Sequence, residues 1–99
     1  MFGLFKSNKK DKIAQYLKED ATLLDVRSVG EYNSSNIPDS INIPIQTLGN
    51  HIAKLDKNKP VIAYCAYGGR STMAAVKLRG MGFKVVDAGG IDSVRKAMK

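Results

Sequence analysis

The sequence predicts an α/β fold, a small parallel β-sheet flanked by helices on both faces, and three observations predict it. Residues 22–26 and 60–64 are short, mostly apolar runs of the length and composition of buried strands, and 84–87 is a shorter run centred on Val85 and Val86. Between them lie segments whose apolar residues recur three and four positions apart, the spacing of one helix face. Strands alternating with helices along the chain place those strands side by side and parallel, with a helical layer on each side.

Each element follows in order. A first helix is predicted from about residue 8 to residue 18, where Ile13, Tyr16 and Leu17 share a face. After the strand at 22–26, Ser28 is placed to cap a short helix through Tyr32, with Glu31 three residues on at the capping-box position and Arg27 just before it. Residues 37–44 alternate apolar and polar side chains, and the prolines at 38 and 44 confine them to a short strand between turns. Leu48, Ile52 and Leu55 predict a helix ending near residues 56–58, and residues 60–64 form the clearest buried strand. Cys65 follows that strand directly. After the loop 66–70, residues 71–81 read as a helix with Ala74, Ala75, Leu78 and Met81 facing inward and Gly80 and Gly82 marking its end. The last strand, 84–87, leads through Ala88, Gly89 and Gly90 into a helix from about Asp92.

Composition narrows the function. Ninety-nine residues, 43% of them hydrophobic, suit one domain with a modest core. We read residues 1–12 as a basic N-terminal extension or helix entry and 13–99 as the domain. One cysteine excludes an internal disulfide and a cysteine-cluster metal site, which points to a reducing, cytoplasmic setting. The N-terminus is apolar only briefly at Phe2, Leu4 and Phe5, with lysines after rather than before, unlike a signal peptide. Those side chains with their lysines could make at most a marginal membrane contact, and no run approaches the roughly 20 apolar residues of a membrane span. The net charge of +7 is mostly terminal: residues 1–12 and 95–99 each carry +3, leaving +1 for 13–94. A near-neutral body without interleaved aromatic and basic residues argues against nucleic acid as a partner. Residues 57–86 nevertheless hold Lys57, Lys59, Arg70, Lys77, Arg79 and Lys84 with no acidic residue, so Cys65 is expected to sit in a positive field.

Chemistry is expected at Cys65-Ala66-Tyr67-Gly68-Gly69-Arg70-Ser71. A cysteine at the carboxyl end of a buried strand, followed by a glycine-containing loop and at once by a helix, occupies the place where open α/β sheets bind ligands. Such a loop turns consecutive N–H groups toward one point, where they add to the positive end of the helix dipole. A sulfur at that focus is stabilised as thiolate. Gly68 and Gly69 would permit the crowded backbone such a nest needs, and Arg70 would offer a planar cation to a bound oxyanion. A buried structural cysteine is the alternative, but a purely structural turn does not call for the arginine.

These residues resemble the active-site loop of the rhodanese family: a cysteine, four residues, then an arginine and a small residue. Asp25-Val26-Arg27 with Glu31-Tyr32 resembles the family's first signature, Ile37-Pro38 with Ile41-Asn42-Ile43-Pro44 its second, and Gly89-Gly90-Ile91 its closing turn. The chain departs from the family at Ser35, Asn36, Asp39 and Ser40, where glycine-histidine and glycine-alanine are usual, at Val94 in place of tryptophan, and at Ala66 in place of the arginine some relatives carry.

The resemblance implies a sulfurtransferase. In it, Cys65 takes a sulfane sulfur from a small anionic donor such as thiosulfate or a persulfide, and passes it to a thiol, a protein acceptor or cyanide. No metal or organic cofactor and no stable membrane insertion are implied, and a monomer is expected. Two alternatives stay open. One is a non-catalytic interaction module; the other is a cysteine-dependent phosphatase or arsenate reductase-like enzyme, disfavoured because phosphatase loops typically place five residues before the arginine. The remaining candidates have structural readings. Asp25 would order loop hydrogen bonds, Arg27 and Glu31, four apart, would pair on a helix surface, and His51 would be a surface or packing residue. Tyr67 would either shape substrate entry or flank the loop, and the methionines would fill core or tail positions.

Overall fold

The computed structural model describes residues 9–99, which form four parallel strands and four α-helices. In chain order these are α1 (Lys9–Lys18), β1 (Thr22–Asp25), α2 (Val29–Ser34), β2 (Ile41–Asn42), β3 (Val61–Cys65), α3 (Gly69–Gly80), β4 (Val85–Gly90) and α4 (Ile91–Ala97). Asn8, where the first helix was expected to begin, and the apolar side chains of Phe2, Leu4 and Phe5 lie outside the described residues. The strand order is β2-β1-β3-β4, so β1 and β3 are central and both are paired on each side.

Alternation along β3 divides the core in two. Val61, Ala63 and Cys65 face the layer of α3, where they pack with Leu24, Ala74 and Leu78. Ile62 and Tyr64 face the layer of α1 and α4, among Ile13, Tyr16 and Val94. A strand buried on both faces reads as an uninterrupted apolar run, which is why 60–64 was the clearest strand in the sequence. The hydroxyl of Tyr64 has no hydrogen-bond partner among the described residues, and burial above all pushes its pKa up to about 12.

Helix ends follow local chemistry. Ser28 caps α2, its hydroxyl accepting from the N–H of Glu31 while the Glu31 carboxylate accepts from the N–H of Ser28, the reciprocal pair expected from the sequence. α1 closes through the N–H of Ala21 to the Tyr16 carbonyl and that of Asp20 to Leu17. α3 closes in the same way, Phe83 N–H to the Leu78 carbonyl and Gly82 N–H to Arg79. That reversal turns Met81 outward, 39% exposed, and brings Phe83 into the core in its place. Met73 and Met98 are exposed as well, so the described methionines do not fill the core.

The helix expected over Leu48, Ile52 and Leu55 is instead two 3-10 turns, Ile45–Asn50 and Ile52–Lys54. Their bonds span three residues, as from His51 N–H to Leu48 and from Leu55 N–H to Ile52. Gly49 and Asn50, both poor helix formers, interrupt the segment, and Leu48 alone is fully buried, so an α-helix gains too little here.

Arg27 does not pair with Glu31. Its guanidinium turns back onto Asp25, with Nε 3.0 Å from each carboxylate oxygen and Nη2 2.8 Å from Oδ2, and also donates to the Ser35 carbonyl. Asp25 is fully buried and Arg27 nearly so. The hydrogen bonds to Asp25 raise the Arg27 pKa further above its ordinary value. With Asn42 donating to the carbonyls of both residues, the pair ties the end of β1 to β2 and to the chain after α2. Removing one partner would leave the other charge buried, so Arg27→Ala is expected to cost about 3–5 kcal/mol of folding stability. Urea unfolding measures it, and a loss under about 1 kcal/mol would rank the pair with surface ion pairs.

Candidate functional site

Cys65 is the last residue of β3, its side chain directed into the α3 layer and 1% exposed. Past it the chain reverses over three residues and enters α3 at Gly69. At Gly68 φ is 127°, a conformation that a side chain opposes, and it brings the Gly68 N–H to 3.0 Å from Cys65 Sγ. No side chain caps α3, and of its leading N–H groups that of Ser71 serves the sulfur.

Burial pushes the Cys65 thiol up, but the main-chain N–H groups of Ser71, Gly68 and Tyr67 outweigh it and hold the thiol below its ordinary value. The Ser71 hydroxyl also faces the sulfur, but it carries one proton, and a carboxylate oxygen of Asp87 stands 2.6 Å away. The main chain of Ser71 is therefore the steadier donor. A depressed folded value means that the thiolate stabilises the fold fully above the unfolded value of about 8.5, and that this contribution is lost as pH falls through the folded value.

The floor of the loop is Gly90. A Cβ placed there would stand 2.7 Å from the Ala66 carbonyl oxygen, so β4 and the loop can meet only at a glycine. Gly69 differs from Gly68: it has no left-handed φ, and a Cβ there would meet nothing within 4 Å. The backbone of the loop therefore needs one of the two glycines expected to shape it. Tyr67 is 98% exposed at the tip, contributing its N–H below while its ring touches no core residue.

Arg70 binds Glu31. Its Nη1 lies 2.6 Å and its Nη2 3.0 Å from the two carboxylate oxygens, joining α2 to the first turn of α3. The Arg70 fork, with the Ser28 N–H, holds Glu31 down to about 2. This half-exposed pair replaces the expected Arg27–Glu31 contact, and the oxygen that Arg70 approaches most closely is also the one that completes the capping box. Asp25 and Arg27 stand behind the loop as a buried unit, with the Val26 N–H bonded to the Tyr64 carbonyl. His51 is half-buried between the two 3-10 turns, a packing position.

Asp87, which the sequence did not single out, accepts from the hydroxyls of Ser71 and Thr72 and from the N–H of Gly89. An acidic residue directly after the Val85-Val86 pair, at the end of the expected strand, was the available signal. A concavity of about 590 Å³ borders the same helix, between the first 3-10 turn and α3, lined by Ile45, Thr72, Met73 and Lys77 among others; Cys65 is not in its wall. Among the described residues no three metal-ligating side chains cluster, and no helix is long and apolar enough to cross a membrane.

A family model for the rhodanese-like domain matches residues 9–97. The chain is 40% identical over 74 residues to thiosulfate sulfurtransferase GlpE of Pseudomonas savastanoi pv. phaseolicola, covering 74% of this chain and 70% of that protein. It is 31% identical to a tRNA sulfurtransferase of Desulfurococcus amylolyticus, covering 97% of this chain but only 20% of that one. A rhodanese-related protein from Thermoplasma volcanium superposes with a TM-score of 0.76 at 34% identity, covering 93% of this chain and 92% of the other.

Two measurements test the geometry. The rate of Cys65 alkylation by iodoacetamide is expected to reach its half-maximum below pH 8.5, the value of a free cysteine; a midpoint at or above it would mean the amides do not reach the sulfur. Gly68→Ala is expected to lose about 1–3 kcal/mol of stability in thermal unfolding, whereas Gly69→Ala stays level or gains about 0.4–1 kcal/mol.

Proposed function

This chain belongs to the rhodanese-like domain family and is a rhodanese-type sulfurtransferase, and we propose that it moves a sulfane sulfur from a small anionic donor to a thiol through a persulfide on Cys65. The observation that carries this reading is the Gly68 N–H 3.0 Å from Cys65 Sγ at the mouth of α3, with the N–H groups of Tyr67 and Ser71 acting on the same atom.

With thiosulfate as donor, the Cys65 thiolate attacks the outer sulfur, the S–S bond breaks, and sulfite leaves with the bonding pair. The sulfur stays as a Cys65 persulfide anion, stabilised by amides already fixed in place, so little reorganisation accompanies the transfer. A second thiolate then attacks the terminal sulfur and becomes the new persulfide, while Cys65 leaves as thiolate. Electrons balance without an added oxidant or reductant.

Arg70 and Glu31 together carry no net charge, and their solvent exposure weakens the field of either alone. Attraction for the anionic donor then comes chiefly from the loop amides and the N-terminus of α3. The pair's part is to hold α2 against the first turn of α3. Four residues between cysteine and arginine make a cradle suited to one sulfur beside the thiolate rather than a tetrahedral phosphoryl group. The physiological acceptor in this reading is a thiol, small or carried by a protein, and cyanide is a substitute for it.

Intact-mass measurement after incubation with thiosulfate tests the proposal. An increase of about 32 Da is expected on the wild type, localised to Cys65, reversed by cyanide and absent in Cys65→Ser. A thiol that alkylates readily yet gains no sulfur from thiosulfate or from a low-molecular-weight persulfide would overturn it.

A further inference from the structure

We propose that Asp87 is a positioning residue that clamps the cysteine loop from behind, fixing both the first turn of α3 and the glycine floor of β4. The inference deepens the proposed function and rests on Cys65 acting through its thiolate.

Three donors converge on this one carboxylate. Oδ1 accepts from the Ser71 hydroxyl at 2.6 Å and from the Gly89 N–H at 3.0 Å, and Oδ2 accepts from the Thr72 hydroxyl at 2.7 Å. Ser71 and Thr72 are in the first turn of α3, and the Ser71 N–H is one of those facing Cys65. Gly89 precedes the glycine whose Cα lies against the Ala66 carbonyl. Asp87 thus ties the helix that follows the loop to the glycine segment of β4 that lies beneath it.

The strand register makes this possible. Asp87 pairs with Ala63, but Tyr64 pairs with Gly89, so Ala88 is an extra residue in β4 opposite the end of β3. The irregularity turns the Gly89 N–H back onto the Asp87 side chain two residues earlier, as bulges beside functional sites redirect a chain. Without the carboxylate both hydroxyls have a second acceptor, the Gly68 carbonyl at 2.8 and 3.1 Å. The helix would then keep its bonds, while of the ties from its first turn to β4 only the long contact from the Ser71 hydroxyl to the Gly89 carbonyl, 3.4 Å, would remain.

The sign of one measurement separates a clamp from a nearby charge. Asp87 is an anion, and deleting an anion near a thiol by itself makes the thiolate easier to form. Loosening the amides makes it harder. The other charged groups facing the loop are Arg70 with Glu31 from α3 and α2, the Asp25–Arg27 pair after β1, and Lys9 of α1, which faces Asp87. None of them changes in the substitutions below.

The experiment is the pH dependence of Cys65 alkylation by iodoacetamide in Asp87→Ala and Asp87→Asn, with circular dichroism confirming the fold. In Asp87→Ala the midpoint is expected to rise by about one pH unit, and in Asp87→Asn, which retains one acceptor oxygen, by less. An unchanged or lower midpoint in folded protein overturns the proposal, and Asp87→Asn alone decides if Asp87→Ala does not fold. Adding Asp87→Ala to a Ser71→Ala, Thr72→Ala background is expected to move the midpoint far less than it does in the wild type; an equal further rise would show that the hydroxyls are not the route and also overturns it. Alkylation needs no sulfur donor, so wild-type protein that fails to gain sulfur from thiosulfate sinks the proposed function without touching this result.

Discussion

The structure depends on a central strand with no freedom left in it. β3 is hydrogen-bonded to a parallel neighbour on each side and covered on both faces, so the position and direction of its last residue are fixed before any loop contact is considered. Cys65 inherits that fixity. The chain must then leave the sheet and start a helix within three residues, and only a backbone that exposes its N–H groups inward makes that turn. The amide cradle follows from packing and topology, with Gly68 as the one residue whose conformation is special.

Around this frame two ion pairs act at different depths. Asp25 with Arg27 is a sealed ion pair that joins the end of β1 to its surroundings and leaves the loop nothing to bind. Glu31 with Arg70 is half-open to solvent and joins a helix cap to the helix that follows the cysteine. Burial separates their energetics: charges taken out of water must be matched completely, whereas a pair at the mouth can be partly screened and still hold geometry.

The elements and the cysteine loop could be read from the sequence because their signals are local. The apolar run of β3, the Ser28 and Glu31 capping box and the glycine past α3 each lie within a few residues of what they determine. What escaped reading depends on distant partners or on how the backbone closes and turns locally. Arg70 stands 39 positions from Glu31, so spacing within α2 suggested Arg27 instead, while the fork of Arg27 folded back over two residues to Asp25. Leu48, Ile52 and Leu55 carried a helical period, but Gly49 and Asn50 weighed more than that period over so short a segment. Phe83 took the inward place expected for Met81 because helix closure reverses the chain first. Gly69 looked as necessary as Gly68 until the space above it proved open, and Asp87 carried only the faint signal of one acid directly after two valines.

The contact of Gly90 with the Ala66 carbonyl has a bearing on biogenesis. The support beneath the loop comes from the last strand of the sheet, some twenty-five positions further along the chain than the cysteine it serves. During synthesis the cysteine therefore emerges before the strand that supports its loop. Support of the loop and completion of the sheet are thus one step in the folding of this chain.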